Sequence, residues 1–351
     1  VRRGVKAAHL PSDPLGKPSM LQGRIWPASK DGLAGSDREM DLESLLPPHW
    51  RDLENPRQAL PRLAKDSRAR VQIESLLAEV PTHHDLFLGD AREVVAELPP
   101  RSVDLVLTSP PYWSLKEYPK TEGQLGWVED YEDFLSQLAP VWEACLRVLV
   151  PGGRLVCVVG DVCLSRRRNR GRHTVVPLHA SIQEQCRHIG FDNLAPIIWY
   201  KIANAKREVE NGRGSFLGKP YEPNSILKND IEYILMQRKP GGYRRPSLAA
   251  RVLSVIPKEL HGAWFRQLWD GPGGASTRNH PAPYPVEVAE RLIRMFSFAG
   301  DTVLDPFMGT ATTQVAAGSW GRNSIGVEIE PSYLDAAVNR LAHEANVIVH
   351  R

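Results

Sequence analysis

The sequence predicts an α/β protein built on a mostly parallel sheet with helices on both faces. Three observations carry this prediction. From residue 85 onward, short apolar segments alternate with segments of helical periodicity. One run, Leu155-Val156-Cys157-Val158-Val159, is continuously apolar, as a strand buried on both faces requires. Two of the strand-like segments run directly into loops rich in ligand-binding chemistry, and ligands bind at the carboxyl ends of strands in such sheets.

The elements follow in order. Residues 1–40 are rich in Gly, Pro, Ser and charge and are read as an irregular extension. Residues 41–82 are read as a helical appendage, because Ile73, Leu76, Leu77 and Val80 fall at helical spacing. Strands are predicted over 85–90 and 103–108, with a short helix at 91–98 between them. A helix over 131–148 is closed by the turn signal Pro151-Gly152-Gly153, and a strand over 154–161 follows. A helix over 177–189 and strands over 195–201 and 231–237 continue the pattern. The last seventy or so residues read helix 285–298, strand 301–306, a loop opening a helix, strand 324–330 and helix 331–344.

Composition excludes some classes. With 42% hydrophobic and 24% charged residues among 351, a sizeable core forms and global disorder is excluded. No apolar run is long enough to span a membrane, and the N-terminus lacks the apolar stretch of a signal peptide. Cys145, Cys157, Cys163 and Cys186 form no CxxC pair, so no metal site is expected, and thiols buried in apolar runs fit a cytoplasmic location. The net charge is only +3, but residues 161–278 hold 20 basic against 10 acidic side chains, whereas residues 41–160 hold 12 against 19. Such segregation points to an anionic partner for the middle of the chain.

Two constellations carry chemistry. In the first, a strand ends in Asp305-Pro306-Phe307-Met308-Gly309 before a helix, and the next strand ends in Glu328. This is the design of a nucleoside-binding unit, in which a tight turn meets the ligand and a following acid accepts from ribose hydroxyls. The loop has neither the glycines of a dinucleotide site nor the lysine of a P-loop. A nucleoside without phosphates, such as S-adenosyl-L-methionine (AdoMet), fits better.

The second constellation is Thr108-Ser109-Pro110-Pro111-Tyr112-Trp113. Two prolines forbid a helix and leave carbonyls rigidly placed. The Ser109 hydroxyl and the Pro110 carbonyl suit an exocyclic amino group, and Tyr112 suits stacking on a planar base. Trp113 is read either as pocket wall or as core.

These stretches resemble the amino-methylating DNA methyltransferases, which modify cytosine N4 or adenine N6. The resemblance is carried by Ser109-Pro110-Pro111-Tyr112 and Asp305-Pro306-Phe307-Met308-Gly309-Thr310. Support comes from Gly89-Asp90, Ile198-Trp199-Tyr200-Lys201 and His280-Pro281-Ala282-Pro283-Tyr284-Pro285. It covers roughly residues 83–345, with the catalytic motif preceding the AdoMet loop in a circularly permuted order.

The resemblance implies a Rossmann-like, seven-stranded AdoMet-dependent methyltransferase fold with a target-recognition insert. The catalytic domain would comprise 83–202 and 279–351, and the recognition region 203–278. Ser109, Pro110, Pro111 and Tyr112 would be catalytic. Asp90, His280, Pro281, Asp305, Phe307, Gly309, Thr310, Thr312 and Glu328 would surround AdoMet. DNA would be gripped by Arg166, Arg167, Arg168, Arg170, Arg172, Arg213, Lys219, Arg244 and Arg245.

The implied partner is double-stranded DNA, and a cognate restriction endonuclease and a homodimer are compatible with the family. Ser109 favours cytosine N4, with adenine N6 as the alternative. A non-catalytic DNA-binding relative is the third reading. One departure stands out: Ala311 occupies the place of the family's second glycine, and it is harmless only at negative φ.

Overall fold

The computed structural model describes residues 41–113, 118–167, 169–201, 216–217, 223–227, 229–273, 284–342 and 346–351. Its strands are β1 (His84–Leu88), β2 (Val103–Thr108), β3 (Leu149–Val159), β4 (Val162–Leu164), β5 (Thr174–Val176), β6 (Asp192–Tyr200) and β7 (Phe216–Leu217). They continue with β8 (Ile226–Leu227), β9 (Ile231–Arg238), β10 (Leu268–Trp269), β11 (Thr302–Asp305), β12 (Asn323–Glu328) and β13 (Val347–His350).

Nine strands form one sheet in the order β10-β6-β9-β3-β2-β11-β12-β1-β13. All neighbours are parallel except β9, which is antiparallel to both β3 and β6. The expected seven strands are thus extended by β10 and β13, two short strands on the outer edges. The C-terminal strands β11 and β12 slot between β2 and β1, so the sheet is assembled from both ends of the chain.

Alternation along β2 decides which layer each side chain enters. Val106 joins a core with Phe134, Leu138 and Trp142 of helix Tyr131–Val148 and Ile182 of helix Leu178–Ile189. Leu105 and Leu107 join the opposite core, with Val288, Leu292 and Ile293 of helix Val286–Phe296 and Ala316 of helix Thr312–Ser319. With both faces covered, the central strands present no face to water, which is why a run such as Leu155–Val159 of β3 is continuously apolar.

Two sequence expectations are corrected. Pro151-Gly152-Gly153 does not precede a strand but lies inside β3. The register against β2 shifts there, from Val103 opposite Leu149 to Leu105 opposite Arg154. Gly152 has φ +78°, and a Cβ on it would stand 2.2 Å from the Gly242 carbonyl oxygen, so only glycine fits this bulge. The segment 203–278 is not purely an insert, because it supplies β9 to the interior of the sheet and β10 to its edge.

Residues 41–80 fold as helices Leu42–Leu45, Pro48–Arg51, Pro56–Leu63 and Ser67–Ala78. Asp66 caps the last, its carboxylate accepting from the backbone N–H groups of Arg68 and Ala69. Leu46, Trp50, Ile73 and Leu77 pack against Ala249, Val252 and Leu253 of helix Leu248–Leu253 and against Ala299. Among the described residues no helix is long and apolar enough to cross a membrane.

Candidate active site

The cofactor cleft lies at the carboxyl ends of β1, β2, β11 and β12. It is walled by Gly89 and Asp90 after β1, Ser109 and Pro111 after β2, Pro306, Phe307 and Gly309 after β11, and Glu328 and Ile329 at the end of β12. Tyr118, Gly123, Gln124, Leu125 and Tyr333 complete the lining. The sequence reading missed these last five: 118–127 has no periodicity to mark it, and Tyr333 falls in a helix whose pattern marks only its packing.

Asp305 lies beneath the loop rather than in the cleft. Its carboxylate accepts from Thr108 Oγ1 at 2.7 Å, from the Phe307 backbone N–H at 3.1 Å and from Thr313 Oγ1. Tyr284 Oη lies against the same Thr313 hydroxyl. Burial pushes the Asp305 carboxyl up to about 6, against the pull of these donors. Asp305 thereby ties the start of the AdoMet loop to the strand that carries Ser109.

Glu328 faces the cleft, and its carboxylate organises the loop opposite. Oε2 accepts from the Gly309 backbone N–H at 2.8 Å and Oε1 from the Glu330 N–H at 2.9 Å. Burial raises this carboxyl to about 7. Gly309 has φ +55°, and Ala311 two residues on has φ +64° and ψ +38°, both left-handed. The Ala311 backbone is therefore in the strained region, at a cost of roughly 1–2 kcal/mol. Its methyl is fully buried in the cluster of Leu86, Met308 and Leu334, which offsets about 0.8 kcal/mol.

Other expected cofactor residues sit differently. Asp90 lines the cleft but is already gripped: it caps helix Ala91–Glu97, and Arg92 Nε reaches both its oxygens at 2.9 and 3.0 Å. Thr310 and Thr312 do not line the cleft. Arg340 Nη1 holds the Thr310 carbonyl at 2.5 Å, Thr310 Oγ1 at 3.1 Å and Thr312 Oγ1 at 3.3 Å. Thr313, one residue on, makes the buried contact to Asp305 instead. His280 and Pro281 lie outside the described residues.

Ser109 Oγ donates to Tyr112 Oη at 3.3 Å, and Tyr112 Oη donates to the Val158 carbonyl at 3.4 Å. The expectation of Tyr112 as an open stacking face is corrected here. Its side chain is buried, with Gly160 and Glu232 packed beside its ring. Trp113 packs edge-on to Tyr131 at 5.1 Å and belongs with the core, not the cofactor wall.

The expected DNA contacts divide. Arg166, Arg167, Arg170 and Arg172 are exposed on the turn joining β4 to β5, which leaves the carboxyl end of β3 on the same sheet edge as Ser109. Arg168, Arg213 and Lys219 lie outside the described residues. Arg244 is a correction. Its guanidinium pairs bidentately with Asp301 at 2.6 Å and reaches Asp104 at 2.8 Å, below the amino ends of β11 and β2. A six-residue strand, roughly 20 Å, separates it from the catalytic edge. Arg245 is exposed beside it, at that same distant edge.

Among the described residues no lysine or arginine lines the cleft. The Glu328 carboxylate and the rings of Tyr118, Phe307 and Tyr333 suit a cation, and no basic side chain on the wall meets a pyrophosphate. AdoMet, a nucleoside carrying a sulfonium, fits this donor set.

Known proteins agree with the geometry. The model of the N6/N4 DNA methylase family matches residues 103–339. The chain is 38% identical over 285 residues to the Type II methyltransferase M.MjaI of Methanocaldococcus jannaschii, covering 72% of this chain and 89% of that one. It is 30% identical over 305 residues to the Type II methyltransferase M.Cfr9I of Citrobacter freundii, covering 81% and 98%. Among solved structures, the DNA modification methylase TTHA0409 of Thermus thermophilus in complex with AdoMet superposes with a TM-score of 0.64 and 52% identity, over 76% of this chain and 97% of that one. The chain therefore belongs to the family of AdoMet-dependent DNA amino-methyltransferases.

Proposed function

We propose that this DNA methyltransferase modifies the N4 amino group of cytosine in a base flipped out of a specific duplex sequence. The observation that carries this reading is Ser109 on the wall of the AdoMet cleft, as the first residue of Ser-Pro-Pro-Tyr. A hydroxyl there resembles the cytosine-N4 members of the family, whereas Asp or Asn marks the adenine-N6 members.

The amino lone pair of cytosine is delocalised into the ring and is a poor nucleophile. In this reading Ser109 Oγ and the Pro110 carbonyl accept the two amino hydrogens, which favours a pyramidal nitrogen and exposes its lone pair. Bound AdoMet supplies an electrophilic methyl group. The work left to the protein is alignment: Asp305 ties the cofactor loop to β2 through Thr108, so the two reactants rest on one rigid frame. The target nitrogen is not accessible to such chemistry within a duplex, so the base turns out into the site. Arg166, Arg167, Arg170 and Arg172 would hold phosphates beside it.

The test is to incubate the protein with AdoMet and duplex DNA, digest the DNA to nucleosides and weigh them. N4-methylcytosine is expected. N6-methyladenine would overturn the base assignment, and the absence of any methylated nucleoside would overturn the catalytic reading.

A further inference from the structure

The side chains of the catalytic turn offer acceptors to a bound base. Pro110 and Pro111 carry no N–H. Ser109 Oγ directs its proton to Tyr112 Oη at 3.3 Å, and Tyr112 Oη directs its own to the Val158 carbonyl at 3.4 Å. Such a turn suits the two amino hydrogens of cytosine. The rest of that base edge, N3 and O2, consists of acceptors and calls for a donor from another element. We propose that Lys201 supplies it: the ammonium, held by Glu232, donates to the O2 carbonyl of the target cytosine and sets the choice of base. This rests on the reading of Ser109–Tyr112 as the turn that holds a cytosine amino group.

Lys201 directly follows β6, and Glu232 is the second residue of β9. Because β9 is antiparallel to β3 and β6, its amino end lies at the carboxyl edge that carries Ser109. Glu232 faces Trp199 in register, and the Lys201 backbone N–H donates to the Asp230 carbonyl at 3.2 Å, which closes the end of the two strands. The Glu232 carboxylate pairs with Lys201 Nζ. The Glu232 side chain is 6% exposed and that of Lys201 39%, so a buried acid anchors an ammonium that still meets solvent. Gly160, just after β3, lets this pair approach the turn. A Cβ there would stand 3.3 Å from Glu232 Cγ and 3.4 Å from Tyr112 Cε2. Glu232 and the Tyr112 ring thus border the same small space.

An ammonium has three donors, and Glu232 takes one of them. A buried carboxylate is costly without its partner, so the pair holds Lys201 at the strand end instead of letting it extend into water. With its amino group on Ser109 and the Pro110 carbonyl, cytosine presents N3 and then O2 along the same edge. Adenine presents N1 and then a C2–H, which accepts nothing from an ammonium. A donor at the O2 position therefore favours cytosine, and it is left without a partner when adenine enters. Arg166, Arg167, Arg170 and Arg172 are exposed and suit phosphates, whereas Lys201 is fixed beside the turn.

The positions methylated in duplex DNA, with mass analysis of the nucleosides, first give the target. Dissociation constants are then measured, with the demethylated cofactor S-adenosylhomocysteine bound, for two duplexes. One carries the target cytosine, and the other a 2-aminopyridine C-nucleoside, which keeps the amino group and the adjacent ring nitrogen but lacks the O2 carbonyl. The cost of opening the pair differs between the duplexes but not between proteins, so it cancels in the comparison. Lys201→Met/Glu232→Gln removes both charges and leaves no buried acid unpaired. It is expected to bind the cytosine duplex about tenfold more weakly than wild type and the analogue duplex equally well. Glu232→Gln keeps the ammonium but frees it, and gives a second reading of the same comparison; a full wild-type preference in it overturns the positioning role of Glu232. An equal loss on both duplexes marks a phosphate contact or a general defect and overturns the proposal, as does an unchanged affinity for both. N6-methyladenine as the product overturns the base assignment and this proposal with it, whereas N4-methylcytosine with no coupling to O2 overturns the role of Lys201 alone.

Discussion

Glu328 shows how one side chain can link loop geometry, ligand and pH. Its raised carboxyl, up from 4.5 to about 7, means the folded apo protein holds that proton more tightly than the unfolded chain. Its stabilising contribution is complete below about pH 4.5 and is lost as the pH rises through about 7. The thermal midpoint of the apo protein should therefore fall across that window, and Glu328→Gln should flatten the fall. In the proposed role of Glu328 as acceptor for the ribose hydroxyls, AdoMet binding has the opposite sign, because the ionised carboxylate is the better acceptor. Affinity should rise from pH 6 to 8 in the wild type. In Glu328→Gln it should be about tenfold weaker and nearly independent of pH, as calorimetric titration would read. Arg244 makes a contrasting prediction at the same scale. Arg244→Ala leaves Asp104 and Asp301 buried without their partner, so chemical denaturation should show a loss of about 3–5 kcal/mol. The salt dependence of DNA binding should not change, since the side chain lies at the edge away from the site.

At the scale of elements, among the described residues of the basic block, the β4–β5 hairpin lies on the same sheet edge as Ser109 and is the proposed DNA contact. Removing one phosphate-binding side chain should reduce the slope of log affinity against log salt by about 0.9. Replacing Arg166, Arg167, Arg170 and Arg172 with Ala tests this in binding assays at several salt concentrations, and an unchanged slope would exclude the hairpin from the DNA interface. The helices were legible in the sequence because burial of one face writes itself as a 3.6-residue period, and the central strands because burial of both faces leaves short apolar runs. The strands beginning at Val103 and Ile231 start where the pattern places them. The Pro-Gly-Gly bulge in β3 was not legible, since the same residues would serve equally well as a stop.

For the whole molecule, the first four helices are part of the folded body. Trp50 is 4% exposed and packs in a core shared with helix Leu248–Leu253. Trp50→Ala should cost about 3–5 kcal/mol in denaturant unfolding, a loss that a loosely attached appendage would not show. The charge pattern also changes meaning at this scale. Of the basic residues between 161 and 278, Arg244 is spent on buried aspartates, Arg238 pairs with Asp192, and Lys239 donates to the carbonyls of Arg147 and Leu149. The net positive balance of that block overstates what faces DNA.

The sequence by itself determined the α/β class, the permuted order of the two motifs and the place of Ser109, Gly309 and Glu328 at the carboxyl ends of strands, where they line the cleft. Each of these is a local property: a period, a turn, or a residue type at the end of a strand. Only the tertiary structure decided that Ala311 is left-handed, that Thr313 is tied to Asp305, that Arg244 is paired with Asp104 and Asp301 at the amino ends of the strands, and that Tyr118 and Tyr333 line the cleft. Those outcomes depend on contacts such as Arg244 with Asp104, more than a hundred residues apart in the chain, and no local pattern encodes which distant partner a side chain will meet.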